Sequence, residues 1–205
     1  MIGLLHVGMM PTNCYVVLKK GSGEAAVIDP GGSAEAIVKA LESAAAKPAA
    51  ILLTHAHFDH ILAVGELLER YPECKVYAGA DERPMFEDHS LNPIWRDDFN
   101  DVAPDIYLKD CEEFEAAGLK FRCFFTPGHT AGSVSYFLAE ESALFSGDTL
   151  FKDSCGRCDF PTGSEDSMNR SLAKIFAVFK DSVSVLPGHG PSTFIGRERK
   201  VWGGE

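Results

Sequence analysis

Short apolar runs alternate along this chain with stretches in which apolar positions recur every third or fourth residue. Residues 13–19 and 25–28 read as two strands joined by the turn Gly21-Ser22-Gly23. Asp29-Pro30-Gly31-Gly32 ends the second strand sharply. Ser33 then stands where a helix cap belongs, residues 34–46 are helix formers, and Pro48 is expected to close that helix. The run at 50–53 (Ala-Ile-Leu-Leu) predicts a buried strand, followed by helix over 61–70 and strand over 75–78. This strand–helix–strand–helix–strand order is the mark of a layered α/β arrangement.

The second half is richer in strands. Residues 80–104 hold three prolines and little period, which predicts a short helix near 80–88 and then a loop carrying Trp95 and Phe99. These two aromatics are expected either to pack or to wall a pocket. Strands are predicted at about 105–108, 112–115, 119–126, 134–139 and 143–147, then a Gly/Pro-rich loop over 151–165. Met168, Leu172, Ile175, Phe176 and Phe179 recur at spacings of three and four and predict a helix over 166–180, with a last strand at 183–186. No repeat, low-complexity tract or linker interrupts the sequence, so one domain spanning 1–205 is expected.

Charge narrows the partners. A formal net charge of −11 argues against nucleic acid, which needs a basic face, and against an anionic membrane surface. No run approaches the roughly 18 apolar residues of a membrane span. The opening residues lack the basic start and apolar run of a signal peptide, so the cytoplasm is the expected location. The six cysteines are scattered and are expected to be reduced thiols.

The chemistry concentrates at Thr54-His55-Ala56-His57-Phe58-Asp59-His60. Three of seven histidines fall within six residues, directly after a predicted strand. Ligands on such a turn meet at the carboxyl edge of a sheet, where α/β proteins bind their ligands. His55 and His57 are two apart, so they point the same way in an extended segment, while Asp59 and His60 can face a second point as the chain turns. Imidazole and carboxylate suit zinc, iron or manganese. Three later residues share a local context: His129, Asp148 and His189 each follow an apolar strand and one or more glycines. Taken singly, each fits a structural histidine or a capping aspartate. Together with the first cluster they supply five His and two Asp, enough for two metal ions.

The order His-x-His-x-Asp-His, Pro-Gly-His-Thr, Ser-Gly-Asp-Thr and Pro-Gly-His-Gly-Pro resembles the metallo-β-lactamase superfamily over residues 13–199. The resemblance implies an αβ/βα four-layer sandwich with the metals at the edges of its two sheets. It implies that His55, His57 and His129 hold one divalent ion, that Asp59, His60 and His189 hold the other, and that Asp148 bridges them. Zinc is the expected metal, with iron or manganese as alternatives. Asp29 and Thr54 would orient ligands from behind. A hydroxide shared by the two ions would be the nucleophile, with Asp59 orienting the water and accepting its proton.

The loop 154–163 (Ser-Cys-Gly-Arg-Cys-Asp-Phe-Pro-Thr-Gly) resembles that of glyoxalase II enzymes, which hydrolyse acyl-glutathione thioesters. By that resemblance Arg157 would grip a substrate carboxylate, and the partner would be a small acyl thioester such as S-D-lactoylglutathione. An internal ion pair of Arg157 with Asp159 or Asp153 is the competing reading. The tail after His189 resembles the short bacterial glyoxalase II-like hydrolases and not the longer enzymes with a helical C-terminal extension. Three other functions remain as alternatives: a mono-iron persulfide dioxygenase using His55, His129 and Asp148, a lactonase or β-lactamase, and a non-enzymatic metal-stabilised binding module. The Pro-Gly-His-Gly-Pro context of His189 favours the hydrolase over the dioxygenase. Cys155 and Cys158 have C-x-x-C spacing without a second pair, and His6 and His89 fit no ligand pattern.

Overall fold

Two six-stranded sheets carry the chain in the computed structural model, which describes residues 1–92 and 101–203. The first sheet holds β1 (Ile2–Val7), β2 (Thr12–Leu18), β3 (Glu24–Ile28), β4 (Lys47–Leu52), β5 (Lys75–Gly79) and β6 (Ile106–Leu108), side by side in chain order. β1 to β3 are antiparallel, and β3 to β6 run parallel. In the second half come β7 (Glu113–Ala116), β8 (Leu119–Phe125), β9 (Val134–Leu138) and β10 (Ala143–Gly147), a two-strand ribbon of β11 (Leu150–Phe151) and β12 (Ser154–Cys155), then β13 (Ser184–Pro187) and β14 (Thr193–Phe194). The second sheet has the order β14-β13-β10-β9-β8-β7.

Strand alternation divides the core. In β2, Tyr15 and Val17 point between the two sheets, while Cys14 and Val16 point to the outer helices. β3 and β4 divide the same way, with Ala26, Ile28, Ala50 and Leu52 inside and Val27 and Ile51 outside. Strands buried on both faces read as unbroken apolar runs, which is why residues 25–28 and 50–53 show no polar alternation. α1 (Ala34–Ser43), α2 (Phe58–Ile61), α3 (Val64–Arg70) and α4 (Arg83–Glu87) belong to the first half of the chain. α1 and α3 bury Ile37, Leu41, Val64 and Leu67 on the outer face of the first sheet. α5 (Glu165–Val178) buries Met168, Leu172 and Ile175 on the outer face of the second, joined by Ile195 at the start of α6 (Ile195–Gly203). The layers are therefore helix, sheet, sheet, helix, the αβ/βα sandwich.

Local expectations are corrected in five places. Ser33 precedes α1 but is left-handed (φ 53°), and its Oγ accepts from Gly8 N–H at 3.2 Å instead of capping the helix. Pro48 does not close α1, which ends at Ser43. It lies in β4, where the β3–β4 register shifts, a place that tolerates a missing donor. The helix expected over 61–70 is two pieces, α2 and α3. Residues 2–7 form a strand, and residues 183–186 are not the last, since β14 and α6 follow. All six cysteines are free. Trp95 and Phe99 lie outside the described residues. Among the described residues, no helix is long and apolar enough to cross a membrane.

The site is placed by strand direction. β3, β4, β8, β10 and β13 all end at the same edge, where antiparallel β2 begins. Backbone bonds tie the two sheets together there: Val134 N donates to Thr54 O at 2.9 Å, and Asn13 N donates to Gly188 O at 2.7 Å.

Candidate metal centre

Each expected ligand sits just past one of these strand ends. His55, His57, Asp59 and His60 occupy the turn from β4 into α2. His129 follows β8, Asp148 follows β10 and His189 follows β13. The structure brings all seven together from four separate segments. Three groups have ligand atoms within 4.8 Å of one another: His55, His57 and His129; Asp59, His60 and His189; and His55, His60 and Asp148, which joins the first two. His189 Nε2 is 3.2 Å from Asp59 Oδ2, and Asp148 Oδ2 is 3.5 Å from His129 Nε2 and 3.7 Å from His189 Nε2. His6 and His89 stand outside all three groups.

The contacts inside the cluster fit a bound cation. His57 Nδ1 lies 2.8 Å from His129 Nε2, and His60 Nε2 lies 3.3 Å from His189 Nε2. Two ring nitrogens converge this closely when they share a proton or point at one ion. His55 Nε2 and Asp148 Oδ1 are buried and have no hydrogen-bond partner. A buried polar atom left unpaired is costly, and a metal at the centre of each group satisfies both. Nitrogen and carboxylate donors without a thiolate suit a divalent ion such as zinc, iron or manganese.

Behind the ligands lies a layer of hydrogen bonds. Asp29, in the left-handed region at φ 50°, accepts from Thr54 N–H at 2.8 Å and from Thr54 Oγ1 at 2.7 Å, and contacts His60 Nδ1 at 3.0 Å. Thr54 Oγ1 is also 3.0 Å from His55 Nδ1. These bonds fix which ring nitrogen faces the centre. Three further partners went unseen in the sequence. Arg157 O takes His129 Nδ1–H at 2.7 Å, Pro11 O takes His189 Nδ1–H at 3.1 Å, and Thr12 Oγ1 donates to Asp59 Oδ2 at 3.3 Å. A backbone carbonyl carries no residue signature, so only the first of these loops could be suspected, and for its side chain. Gly188 is required beside the centre, because a Cβ there would meet Asp148 Oδ1 and His60 Cε1.

Charge divides the cluster. Burial, reinforced by the neighbouring histidines, holds His55 well below the usual imidazole range, and burial with His129 lowers His57 to about 3. Burial acts on His60 in the same direction, but Asp148, Asp59 and Asp29 outweigh it and push His60 up to about 10. His189 is likewise raised against burial, by Asp59 and Asp148. Burial would raise Asp59, yet His60 and His189 hold it well below the carboxylate range.

The centre opens into a cavity of about 290 Å³ walled by Met10, Phe58, Phe151 and Phe160, with Asn92 and Arg157 beside them. A larger hollow of about 790 Å³ lies across the second sheet near Phe114, Phe124 and Phe179, and none of the seven residues reaches it. The Arg157 side chain is on the cavity rim. Its Nε and Nη2 each donate to Asp159 at 2.7 Å, and its guanidinium stacks 3.9 Å over Phe160. Asp153 pairs with Arg197 instead. Cys155 and Cys158 are half-buried, and burial raises both thiols, which leaves little reactive thiolate.

Comparison with known proteins agrees with this geometry. The metallo-β-lactamase superfamily model matches residues 7–193. The chain is 30% identical to the hydroxyacylglutathione hydrolase GloC of Haemophilus influenzae, covering 97% of this chain and 95% of that one. It is similar to the crystal structure of the BLEG-1 B3 metallo-β-lactamase, with a TM-score of 0.90 and 38% identity over 98% of this chain and 97% of that one. It also resembles the structure of TTHA1623 in a di-iron-bound form, with a TM-score of 0.84 and 32% identity over 97% and 98%. With the four motifs converging on one sheet edge and the match spanning both sheets, this chain belongs to the metallo-β-lactamase superfamily.

Proposed function

We propose that the protein is a binuclear metallohydrolase of acyl thioesters, S-D-lactoylglutathione being the model substrate, acting in the cytoplasm. The observation that carries this reading is the pair of ligand triads joined through Asp148 at the floor of an apolar-walled cavity. His55, His57 and His129 would hold one ion, Asp59, His60 and His189 the other, and Asp148 both. Zinc is the first candidate; the di-iron form of TTHA1623 keeps iron in view. When bound, such ions supply a nucleophilic hydroxide at neutral pH and polarise the substrate carbonyl. Asp59 would orient the attacking water and accept its proton. Met10, Phe58, Phe151 and Phe160 exclude bulk water from the acyl group. Arg157 contributes through both its parts. Its carbonyl orients His129, and its guanidinium, with Nη1 turned from Asp159, is available to a substrate carboxylate.

The thioester reading is supported by the similarity to GloC over nearly the whole chain. The similarity to BLEG-1 supports a second reading, β-lactam hydrolysis at the same centre. Turnover of S-D-lactoylglutathione and of a chromogenic cephalosporin by protein of measured metal content separates the two. Two metals per chain with preferential thioester cleavage is the expected result. One iron per chain with oxygen uptake on glutathione persulfide would overturn the hydrolase reading altogether.

A further inference from the structure

Glu82 ends the 3-10 turn Ala80–Glu82 before α4 and is fully buried, at 0% exposure. It has no cationic bonding partner among the described residues. Its two oxygens reach different segments. Oε1 accepts the Ala56 N–H at 2.8 Å, and Ala56 is the residue between His55 and His57. Oε2 accepts the Thr130 hydroxyl at 2.8 Å and the Gly132 N–H at 3.0 Å, in the loop between β8 and β9 that carries His129. From the same stretch of chain, Asn92 Nδ2 donates to Ala56 O at 2.9 Å, so both backbone groups of Ala56 are held by side chains. Gly132 permits the approach, because a Cβ there would meet the backbone of Asp81 and Glu82.

Burying a carboxylate without a cation is costly. Burial pushes Glu82 up to about 7 even though its three donors pull it down. A neutral side chain would fill this space more cheaply, so the carboxylate has a task that packing alone does not set. Its bonds run to the loop of His129 and to Ala56, between His55 and His57 at the start of the turn that further on carries Asp59 and His60. The side chains and carbonyl that contact His60, Asp59 and His189 directly are those of Asp29, Thr12 and Pro11, and Glu82 bonds to none of the three.

We propose that Glu82 is a positioning residue for the first triad: its carboxylate clasps the two loops that carry His55, His57 and His129 so that their rings converge on one ion. The second triad does not depend on it. This inference rests on the ligand assignment proposed above.

Zinc(II) affinity, measured by chelator competition in two backgrounds, tests it. His189→Ala leaves the first triad whole, and His57→Ala leaves the second. Added to His189→Ala, Glu82→Ala should weaken zinc binding by about 10- to 100-fold, the usual size for an outer partner of a ligand. Added to His57→Ala, the same change should cost less than about threefold, as for independent sites. Glu82→Gln, which keeps one acceptor oxygen, should fall between wild type and Glu82→Ala in the first background. Equal losses in both backgrounds, or none in either, would overturn the proposal. If neither background binds zinc with Glu82 intact, the ligand assignment itself fails, a different result. Where circular dichroism finds Glu82→Ala unfolded, Thr130→Val removes one donor and keeps the carboxylate. It must then give a smaller loss confined to the His189→Ala background, and a loss shared by both would equally overturn the proposal.

Discussion

The first triad, His55, His57 and His129, is all imidazole, and burial keeps two of its rings neutral. The second, Asp59, His60 and His189, includes a carboxylate, and the surrounding aspartates pull both of its histidines toward the charged form. Their supports differ as well. The first is braced by Thr54 at His55, by Glu82 and by the carbonyl of Arg157. The second is braced by Asp29 and the carbonyl of Pro11, at the ends of the antiparallel strands. Asp148 groups with His55 of the first and His60 of the second. Two halves with neighbouring positions and unlike surroundings need not bind metal with equal strength or respond alike to substitution.

That contrast can be broken or sharpened by experiment. Asp148→Ala should have the largest effect, since it strikes both halves: metal content should fall toward zero and turnover below detection. His57→Ala should abolish turnover while leaving about one metal per chain, because the second triad stays whole. Metal analysis beside a thioesterase assay checks both, and full activity in either variant would remove that residue from the centre. Asp29→Ala comes next. It unpins His60 and Thr54, and should weaken the second ion by about 10- to 100-fold in chelator titration. Arg157→Ala should raise KM for S-D-lactoylglutathione by about tenfold with a smaller change in kcat. The reverse split would confine Arg157 to orienting His129 through its carbonyl.

The smallest effect concerns pH. Glu82 is raised to about 7 in the fold from an ordinary value of 4.5. A carboxyl whose folded pKa is raised favours the fold in its protonated form. Its contribution is fully present below 4.5 and is lost as pH climbs through about 7. Metal-free protein should therefore lose stability over that window, and Glu82→Gln should lose less. Denaturant melts from pH 4.5 to pH 8 measure the difference, and parallel curves would mean that Glu82 does not titrate there.

Much of the fold was legible because burial on both faces writes itself as apolar runs. Residues 25–28, 50–53 and 143–147 could be read as strands without knowing what they pack against. The errors fell where local signals mislead. Ser33 is a good capping residue by type, yet its left-handed backbone turns its hydroxyl to Gly8. Pro48 looks like a helix stop and is a strand residue at a register shift. β1 lies at the sheet edge with Gly3, Leu4 and His6 exposed, so its pattern is weak. β14 has two residues, too few for any pattern.

The candidate centre was legible through residue type and spacing. His55, His57, Asp59, His60, His129, Asp148 and His189 stand beside strand ends and glycines, and side chains that bind metal are a short list. Asp29 and Thr54 were reached only through a family resemblance, and the structure then placed them in hydrogen-bond contact with His60 and His55. Glu82, Pro11 and the carbonyl of Arg157 could not be found that way. Glu82 lies in an ordinary-looking acidic segment, and its meaning depends on Ala56 and Gly132 being brought to it from 26 and 50 residues away. A carbonyl belongs to every residue, so no sequence marks the one that meets a histidine. The sequence by itself determined the donor atoms, since those are fixed by covalent chemistry. Tertiary structure alone decided which donors come within reach of one another and what holds them in place, because that depends on distances between segments that only the paired sheets bring together.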